Sequence, residues 1–148
     1  MKKFTLTYRS KGFTLLEMIV VLVIIGLLMG LVGPRLFKQA DKAKVQTAET
    51  QVKMLKGALQ TMRLDINRFP TTDEGLKLLF EKPRGSDIAT LWDGPYVEDG
   101  VPKDPWDRDY IFNAKATSTQ PFELYSLGAD GQKGGDGYNA DIGYLPEQ

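Results

Sequence analysis

The chain has 148 residues, of which 19 are basic and 19 acidic, and it contains neither cysteine nor histidine. This composition excludes disulfides, thiolate nucleophiles, zinc sites with the usual ligands and histidine-based catalytic triads. Four basic residues lie among the first 12, so the remainder carries 15 basic and 19 acidic residues, a net charge of −4. A mildly acidic body gives no electrostatic footprint for nucleic acid, and no nucleic-acid partner is expected.

A long apolar run near the N-terminus is the first predicted element. From Phe13 to Gly33 there are 21 residues, and Glu17 is the only charged one. About 20 apolar residues are enough to span a bilayer, whereas the apolar core of a cleaved secretory signal is typically about 7–15 residues long. We therefore predict a retained transmembrane helix in preference to the alternative, a removed signal peptide. Because a charge at the bilayer centre costs about 3 kcal/mol or more, Glu17 is expected to have a partner.

The residues at the start of this run carry a processing motif. Lys11-Gly12-Phe13-Thr14-Leu15-Leu16-Glu17 resembles the processing site of type IV pilins and type II secretion pseudopilins. The resemblance implies that residues 1–12 are a basic leader, which a prepilin peptidase removes by cutting between Gly12 and Phe13, and that Phe13 is then N-methylated. In a filament, Glu17 of one subunit can then pair with the Phe13 amine of its neighbour, because a low dielectric strengthens the attraction. The alternative is a Glu17 that lies at the headgroup level or is protonated.

Residues 35–66 are predicted to continue the transmembrane segment, residues 13–34, as an amphipathic helix. Pro34 is expected to kink or interrupt the helix at this boundary, because proline lacks an amide donor and clashes with the preceding turn. Further along, apolar residues recur at alternating spacings of four and three, which is one face of a helix. This stripe is predicted to pack on the chain's own globular body, and it comprises Ala48, Val52, Leu55, Leu59, Met62 and Ile66.

The globular region, residues 67–148, is predicted to begin with a second, short helix. Phe69-Pro70 is expected to end the long helix, because a residue before proline avoids the α conformation. Thr71 and Glu74 then fit the capping box S/T-x-x-E, which predicts a helix over residues 73–81. The side chains that this helix is expected to bury are Leu76, Leu79 and Phe80.

A loop and a β-hairpin are predicted to follow. Residues 82–106 are rich in proline and glycine, and three aromatic side chains are expected to anchor this loop by packing beneath it, in preference to lining a ligand pocket: Trp92, Tyr96 and Trp106. Residues 110–112 and 122–127 are rich in aromatic and branched side chains, and the polar stretch 114–120 joins them as in a hairpin. By strand alternation, one face of the second strand carries Phe122, Leu124 and Ser126, and the other carries Glu123, Tyr125 and Leu127.

The C-terminal segment is rich in aspartate and glycine. Asp130, Asp136 and Asp141 lie within twelve residues, among five glycines. Carboxylates and backbone carbonyls are the ligands that Ca²⁺ uses, although the segment does not fit the EF-hand pattern. On the residues alone, a solvated turn and a metal-binding loop are equally consistent with this composition.

Three stretches together resemble the major pseudopilin family of the type II secretion system: FPTTDEGLKLL, GPYVEDGVPKDPWDRDYIF and FELYSLGADGQKGGDGYNADIG. The resemblance extends from the leader to about Gly143. It implies an α+β, type IV pilin-like fold, in which a long N-terminal α-helix packs on a small antiparallel β-sheet and a metal-binding loop lies near the C-terminus.

The resemblance further implies that this loop holds calcium. Asp130 and Asp141 match residues that bind the ion through side-chain oxygens, and Leu127 and Gln132 match residues that bind through backbone carbonyls. Some relatives carry a second acidic residue immediately before the one that matches Asp141. This chain has Ala140 there, and the residues expected to replace the missing ligand are Asp136 or Asn139.

The function implied by the resemblance is structural and not enzymatic. The chain is expected to be the major subunit of a periplasmic pseudopilus, which polymerises with itself and helps to export folded proteins across the outer membrane. Its expected partners are minor pseudopilins, the inner-membrane assembly platform and the prepilin peptidase. It is expected to span the bacterial inner membrane once, with its C-terminal body in the periplasm. The alternatives are an adhesive or motility type IV pilin and a membrane-anchored periplasmic enzyme.

Overall fold

Helix α1 spans Leu15–Ile66, 52 residues. The structure is a computed structural model, and it describes residues 12–115 and 119–146. Of the predicted leader, only Gly12 is therefore described. The middle of the predicted hairpin linker also lies outside the described residues. Helical geometry continues through Gly33 and Pro34, so the helix is not interrupted there, and a kink at Pro34 stays a prediction. A proline removes a single amide donor, and the hydrogen bonds of the flanking residues sustain the helix.

The chain divides into two compact units, Met1–Gln39 and Ala40–Gln148. In the first unit, every described side chain from Phe13 to Val32 is exposed in the isolated chain. The second unit contains a hydrophobic core and the β-sheet. Among the described residues of the first unit, the apolar side chains from Phe13 to Val32 are therefore not buried in a core.

The predicted apolar stripe of α1 is confirmed. Each of its six side chains is at most 3 % exposed. Five of the six pack in one hydrophobic cluster with residues of the loops and sheet. Burying a side chain of leucine size contributes about 1.5–3 kcal/mol, so this face attaches the second half of α1 firmly to the body. The buried stripe consists of Ala48, Val52, Leu55, Leu59, Met62 and Ile66.

The end of α1 and the turn after it are held by local hydrogen bonds. Asn67 follows the last helical residue with a φ of 59°, the left-handed conformation that commonly ends helices. The Glu74 amide donates to Thr71 Oγ1 at 3.2 Å, and the Thr71 amide donates to Glu74 Oε2 at 2.8 Å. This reciprocal pair is the capping box predicted from the sequence. Arg68 adds two hydrogen bonds of 2.7 Å to the same carboxylate.

The helix that follows the capping box is shorter than predicted. A 3₁₀ helix spans Gly75–Leu79 in place of an α-helix over residues 73–81. Gly75 has a φ of 58°, a left-handed conformation that no right-handed α-helix can include. The predicted burial of Leu76 and Leu79 is confirmed. Phe80 is half-buried, whereas the buried residues are Leu76, Leu78 and Leu79.

Two of the three predicted aromatic anchors of the long loop are confirmed. Trp92 is buried, and its indole nitrogen donates to the carbonyl of Leu78 at 2.8 Å. Tyr96 packs edge-on against Trp92, and its hydroxyl donates to Asp65 at 2.7 Å. These bonds tie the loop to α1 and to the 3₁₀ turn. Tyr96 and Trp106 are both half-buried, but the ring of Trp106 is described in contact only with the guanidinium of Arg108, 6.0 Å from its ring centre, so its role as an anchor stays a prediction.

Three short strands form an antiparallel sheet in the order β1-β2-β3: Ile111–Asn113, Glu123–Ser126 and Ile142–Tyr144. In the predicted hairpin, which is confirmed, Phe112 lies opposite Leu124. Strand β3 was not predicted. It has three residues with a glycine in the middle, a pattern too short and too weak in β-forming side chains to stand out beside the aspartate-rich segment.

Strand β2 is buried on both faces. Phe122, just before the strand, and Leu124 point into the hydrophobic cluster. On the other face, Tyr125 and Glu123 are 1 % and 4 % exposed, and Asn113 donates to the Glu123 carboxylate at 2.8 Å. The central strand is thus covered on the side where sequence alternation alone would allow solvent.

We expect Leu59→Ala to lower the free energy of unfolding of the body by about 2–5 kcal/mol, because it removes a fully buried side chain from the core. Leu64→Ala is the matched control on the same helix, since Leu64 is 80 % exposed, and it should change stability by no more than about 0.5 kcal/mol. Urea denaturation of the detergent-solubilised chain, followed by circular dichroism, measures both. Equal effects would contradict the assignment of the buried face.

A second prediction concerns acid stability. Hydrogen bonds from Arg68 lower the pKa of Glu74 to about 2. Because the folded-state pKa lies below the ordinary value of about 4.3, this pair stabilises the fold above that pH and is lost as the pH falls toward 2. The pair is partly exposed, which reduces its contribution.

The variant Glu74→Gln should therefore unfold with a weaker dependence on pH between about 4.5 and 2. The control is Glu81→Gln, which removes an exposed ion pair with Lys77. Its stability should depend on pH in this range almost as that of the wild type does. Denaturation midpoints measured at a series of pH values decide the matter. If the denaturation midpoint of Glu74→Gln falls with pH as steeply as that of the wild type, the ion pair with Arg68 does not determine the acid sensitivity.

Candidate functional site

The predicted processing junction lies just before α1. Residues 12–14 have no regular secondary structure, and both Gly12 and Phe13 are exposed, Phe13 to 77 %. A side chain at Gly12 would meet no atom within 4 Å. The peptide bond between Gly12 and Phe13 is therefore accessible in the described part of the chain, which is what a peptidase requires.

Glu17 has a partner within its own chain. Its amide donates to Thr14 Oγ1 at 3.2 Å, and its carboxylate accepts from the Thr14 amide at 3.3 Å and from the Thr14 hydroxyl at 3.4 Å. This is a second capping box, at the start of α1. Thr14 was not predicted as a site residue, although the S/T-x-x-E spacing that revealed the box at Thr71 is present here too.

This capping box stabilises the isolated subunit. It satisfies two amides that would otherwise lack partners at the helix N-terminus, and it places a carboxylate near the positive end of the helix dipole. Glu17 is thus hydrogen-bonded before any neighbouring subunit is present. A neighbouring amine has to compete with these local bonds or to add to them.

The apolar part of α1 has the properties of a membrane anchor. Within residues 12–115 and 119–146, one helix is long and apolar enough to cross a bilayer, and it is α1. The part concerned lies near the N-terminus and none of it is buried inside the body. Its side chains point outward all round the helix, as expected for a segment surrounded by lipid or by other helices.

The two aspartates predicted to bind calcium through side chains are both used in local turns. Asp130 Oδ1 accepts from the Gln132 amide at 2.9 Å. Asp141 Oδ2 accepts from the Gly134 amide at 3.0 Å, and the Asp141 amide donates back to the Gly134 carbonyl at 3.2 Å. Asp141 therefore closes the glycine-rich segment onto the start of β3, because it bridges seven residues.

The remaining predicted ligands lie in the same segment without forming one cluster. Leu127 is half-buried, whereas Gln132 and Asp136 are exposed. The Asp136 carbonyl accepts from the Asn139 amide at 3.1 Å. Across the described residues, no three acidic side chains approach one another closely enough to hold an ion. The structure does not bring Asp130, Asp136 and Asp141 together.

One buried side-chain oxygen of this segment lacks a hydrogen-bond partner. Asp141 Oδ1 is buried and accepts no hydrogen bond. Leaving a buried acceptor unsatisfied costs about 1–3 kcal/mol, and more for a charged group. Carboxylate and carbonyl oxygens are the ligands that calcium prefers, and an ion beside Asp141 would satisfy this oxygen. This donor chemistry suits the predicted metal, although the three aspartates do not converge in the described structure.

Comparisons with known proteins identify the family. Residues 35–145 match the model of the family described as type II secretion system (T2SS), protein G. Residues 7–33 match the prokaryotic N-terminal methylation motif. The first match covers well over half of the chain. The chain belongs to the type II secretion system protein G family.

Individual relatives agree with this assignment. The type II secretion system core protein G of Pseudomonas aeruginosa is 42 % identical over 135 residues, which cover 91 % of this chain and 94 % of the relative. That of Vibrio cholerae is 42 % identical, with 91 % of each chain covered. The crystal structure of the major pseudopilin from the type 2 secretion system of enterohaemorrhagic Escherichia coli is 32 % identical. It superimposes with a TM-score of 0.54 and covers 74 % of this chain and 92 % of that one.

These findings confirm the resemblance drawn from the sequence. The type IV pilin-like arrangement of a long helix and a small antiparallel sheet is confirmed, and so is the relationship to the major pseudopilin. The matches favour a type II secretion pseudopilin over the alternative of an adhesive or motility type IV pilin. The cleavage position, the assembly role of Glu17 and the calcium ligands stay predictions.

Proposed function

We propose that this chain is the major structural subunit of a periplasmic pseudopilus. The observation that carries this proposal is the contrast within α1. Residues 13–32 expose their apolar side chains, whereas the later stripe is buried in the chain's own body. An apolar helix without a core of its own needs lipid before assembly and neighbouring helices after it. A filament of parallel subunits supplies those neighbours.

The location and partners follow from the same anchor and from the family. The chain spans the inner membrane once, with its C-terminal body in the periplasm, and a prepilin peptidase cuts between Gly12 and Phe13. It polymerises with copies of itself, together with minor pseudopilins, on an inner-membrane assembly platform. The growing filament helps folded proteins to cross the outer membrane. The role is structural, and membership of the protein G family supports it.

Within the filament, Glu17 pairs with the free amine of Phe13 on a neighbouring subunit. Cleavage creates this amine next to Thr14, the residue that already binds the Glu17 carboxylate in the isolated chain. Partial desolvation strengthens the attraction between the two charges, and an unpaired Glu17 is costly there. The pair would fix the axial register between subunits.

Glu17→Ala should insert and be processed normally but should form few filaments, because the Phe13 amine loses its partner. Thr14→Ala is the control, because it removes the cap at a cost of about 0.5–2 kcal/mol and leaves the carboxylate in place. Filaments counted by electron microscopy report assembly, and intact-mass analysis reports whether the mature chain begins at N-methylated Phe13. Normal filament yield from Glu17→Ala would refute the pairing, and a mature chain starting elsewhere would refute the cleavage site.

We further propose that calcium stabilises the loop formed by residues 127–141. Asp130 and Asp141 supply side-chain oxygens, Leu127 and Gln132 supply carbonyls, and Asp136 is the candidate for the ligand missing at Ala140. Support comes from the unpartnered Asp141 Oδ1 and from an oxygen-only donor set. With no cysteine in the chain, an ion takes the place of a covalent cross-link.

Calcium at 100 times its dissociation constant should add about 2.7 kcal/mol of stability, or roughly 10–20 °C in melting temperature for a domain of this size. Thermal denaturation of the detergent-solubilised chain, with calcium or with chelator, tests this. Asp130→Ala and Asp141→Ala should each abolish most of the difference, whereas Asp99→Ala, outside the loop, should preserve it. Magnesium should substitute poorly, because it demands octahedral geometry and releases its waters reluctantly. An unchanged wild-type melting temperature would refute the calcium site.

A further inference from the structure

A buried carboxylate lies beneath the start of the proposed calcium loop. The Asp104 side chain is fully buried. Its Oδ1 accepts from the amides of Trp106 and Arg108, at 3.0 and 2.9 Å, and its Oδ2 accepts from the Ser126 hydroxyl at 2.6 Å. A buried carboxylate is tolerated only when it is hydrogen-bonded in this way. Asp104 thus links the turn of residues 104–108 to the end of β2.

Ser126 extends this network into the loop. Its hydroxyl donates to Asp104 and accepts from the Gly128 amide at 3.3 Å. The Gly128 amide and the Leu127 carbonyl belong to one planar trans peptide, in which the two groups point in opposite directions. When the amide is directed at the buried hydroxyl, the Leu127 carbonyl must point to the opposite side. Ser126 therefore determines the direction of the carbonyl proposed as a ligand.

Arg108 binds the other backbone polar group of Gly128, its carbonyl. Its Nη2 donates to the Gly128 carbonyl, and its Nε lies 3.8 Å from Asp104 Oδ2. The guanidinium also lies close against Gly131, where an added Cβ would be 2.5 Å from Nη1. Both backbone groups of Gly128 are thus held by one connected set of side chains.

The conformation at Gly128 leaves little freedom for another arrangement. Its φ is 61°, and an added Cβ would lie 2.5 Å from the Ala140 carbonyl oxygen, at the far end of the loop. The backbone at the start of the loop, at Gly128, therefore passes directly beside the backbone at its end, at Ala140. Holding the backbone of Gly128 in place therefore also holds one side of the region between Leu127 and Asp141.

We infer that Ser126, Asp104 and Arg108 are positioning residues for the calcium loop, which hold the peptide between Leu127 and Gly128 so that the Leu127 carbonyl faces the ion. This inference rests on the proposed calcium site. It adds that part of the site is set by a network of side chains that do not touch the ion. Outer groups of this kind commonly change metal affinity by about 10–100-fold when they are removed.

The test is calcium affinity, measured by isothermal titration calorimetry on the detergent-solubilised full chain well below its melting temperature. Ser126→Ala should raise the dissociation constant at least about tenfold, because the Gly128 amide loses its acceptor and the peptide can rotate. Arg108→Lys keeps the positive charge but loses the planar fork, and it should raise the constant by a smaller factor. Arg108 is about one-third exposed, so Arg108→Lys should not disturb the core. This second variant therefore still tests the inference if Ser126→Ala fails to fold.

Tyr96→Phe is the matched control, because it removes a side-chain hydrogen bond to Asp65 elsewhere in the body. It should lower the melting temperature in chelator without altering calcium affinity. If both Ser126→Ala and Arg108→Lys bind calcium as tightly as the wild type, the positioning role is refuted and the calcium site stands. If Ser126→Ala does not fold, wild-type affinity in Arg108→Lys alone refutes it. A wild-type chain that binds no calcium refutes the proposed site itself, which is a different result.

Discussion

The apolar surface of α1 is the constraint on which the rest of the molecule depends. One continuous backbone carries two kinds of face. Near the N-terminus the side chains of residues 13–32 are apolar all round, and beyond Ala48 a single stripe is buried. The body can cover only a stripe, because the loops and the sheet approach the helix from one side. The fully apolar segment needs an environment that the chain does not supply, and membrane insertion and polymerisation both provide it.

Glu17 shows how one residue can serve two states of such a chain. In the isolated subunit its carboxylate is held by the amide and hydroxyl of Thr14 at the helix N-terminus. These bonds lower the cost of carrying a charge at the edge of an apolar run, because hydrogen bonds replace part of the lost hydration. The proposed cleavage would then add a cation one residue before Thr14. The proposed contact with a neighbour would use the same Glu17 carboxylate that the local cap holds.

The features predicted correctly from the sequence are those set by local spacing. The alternation of threes and fours gave the buried stripe of α1, and the S/T-x-x-E spacing gave the capping box at Thr71. The helix predicted after that box is shorter and of the 3₁₀ type, and Gly75 at its start adopts a left-handed φ that glycine reaches without steric cost. Strand β3 was missed because it exists only through pairing with β2. The Asp104 network was missed for the same reason, since its members are separated by up to 24 residues along the chain.

Without disulfides, the C-terminal loop has to be held at its ends. The entry is tied through Gly128 to Ser126 and Arg108, and the exit is tied by the pairing of Ile142 with Ser126 in the sheet. Ser126 thus takes part in holding both ends of the loop: its hydroxyl accepts from Gly128, and the residue pairs with Ile142 in the sheet. Between the ends, the segment from Gln132 to Asn139 is exposed and rich in glycine, and ordering each of its residues costs about 1–2 kcal/mol. The proposed calcium ion, bound between Leu127 and Asp141, would offset this cost, because the core already holds both ends of the loop.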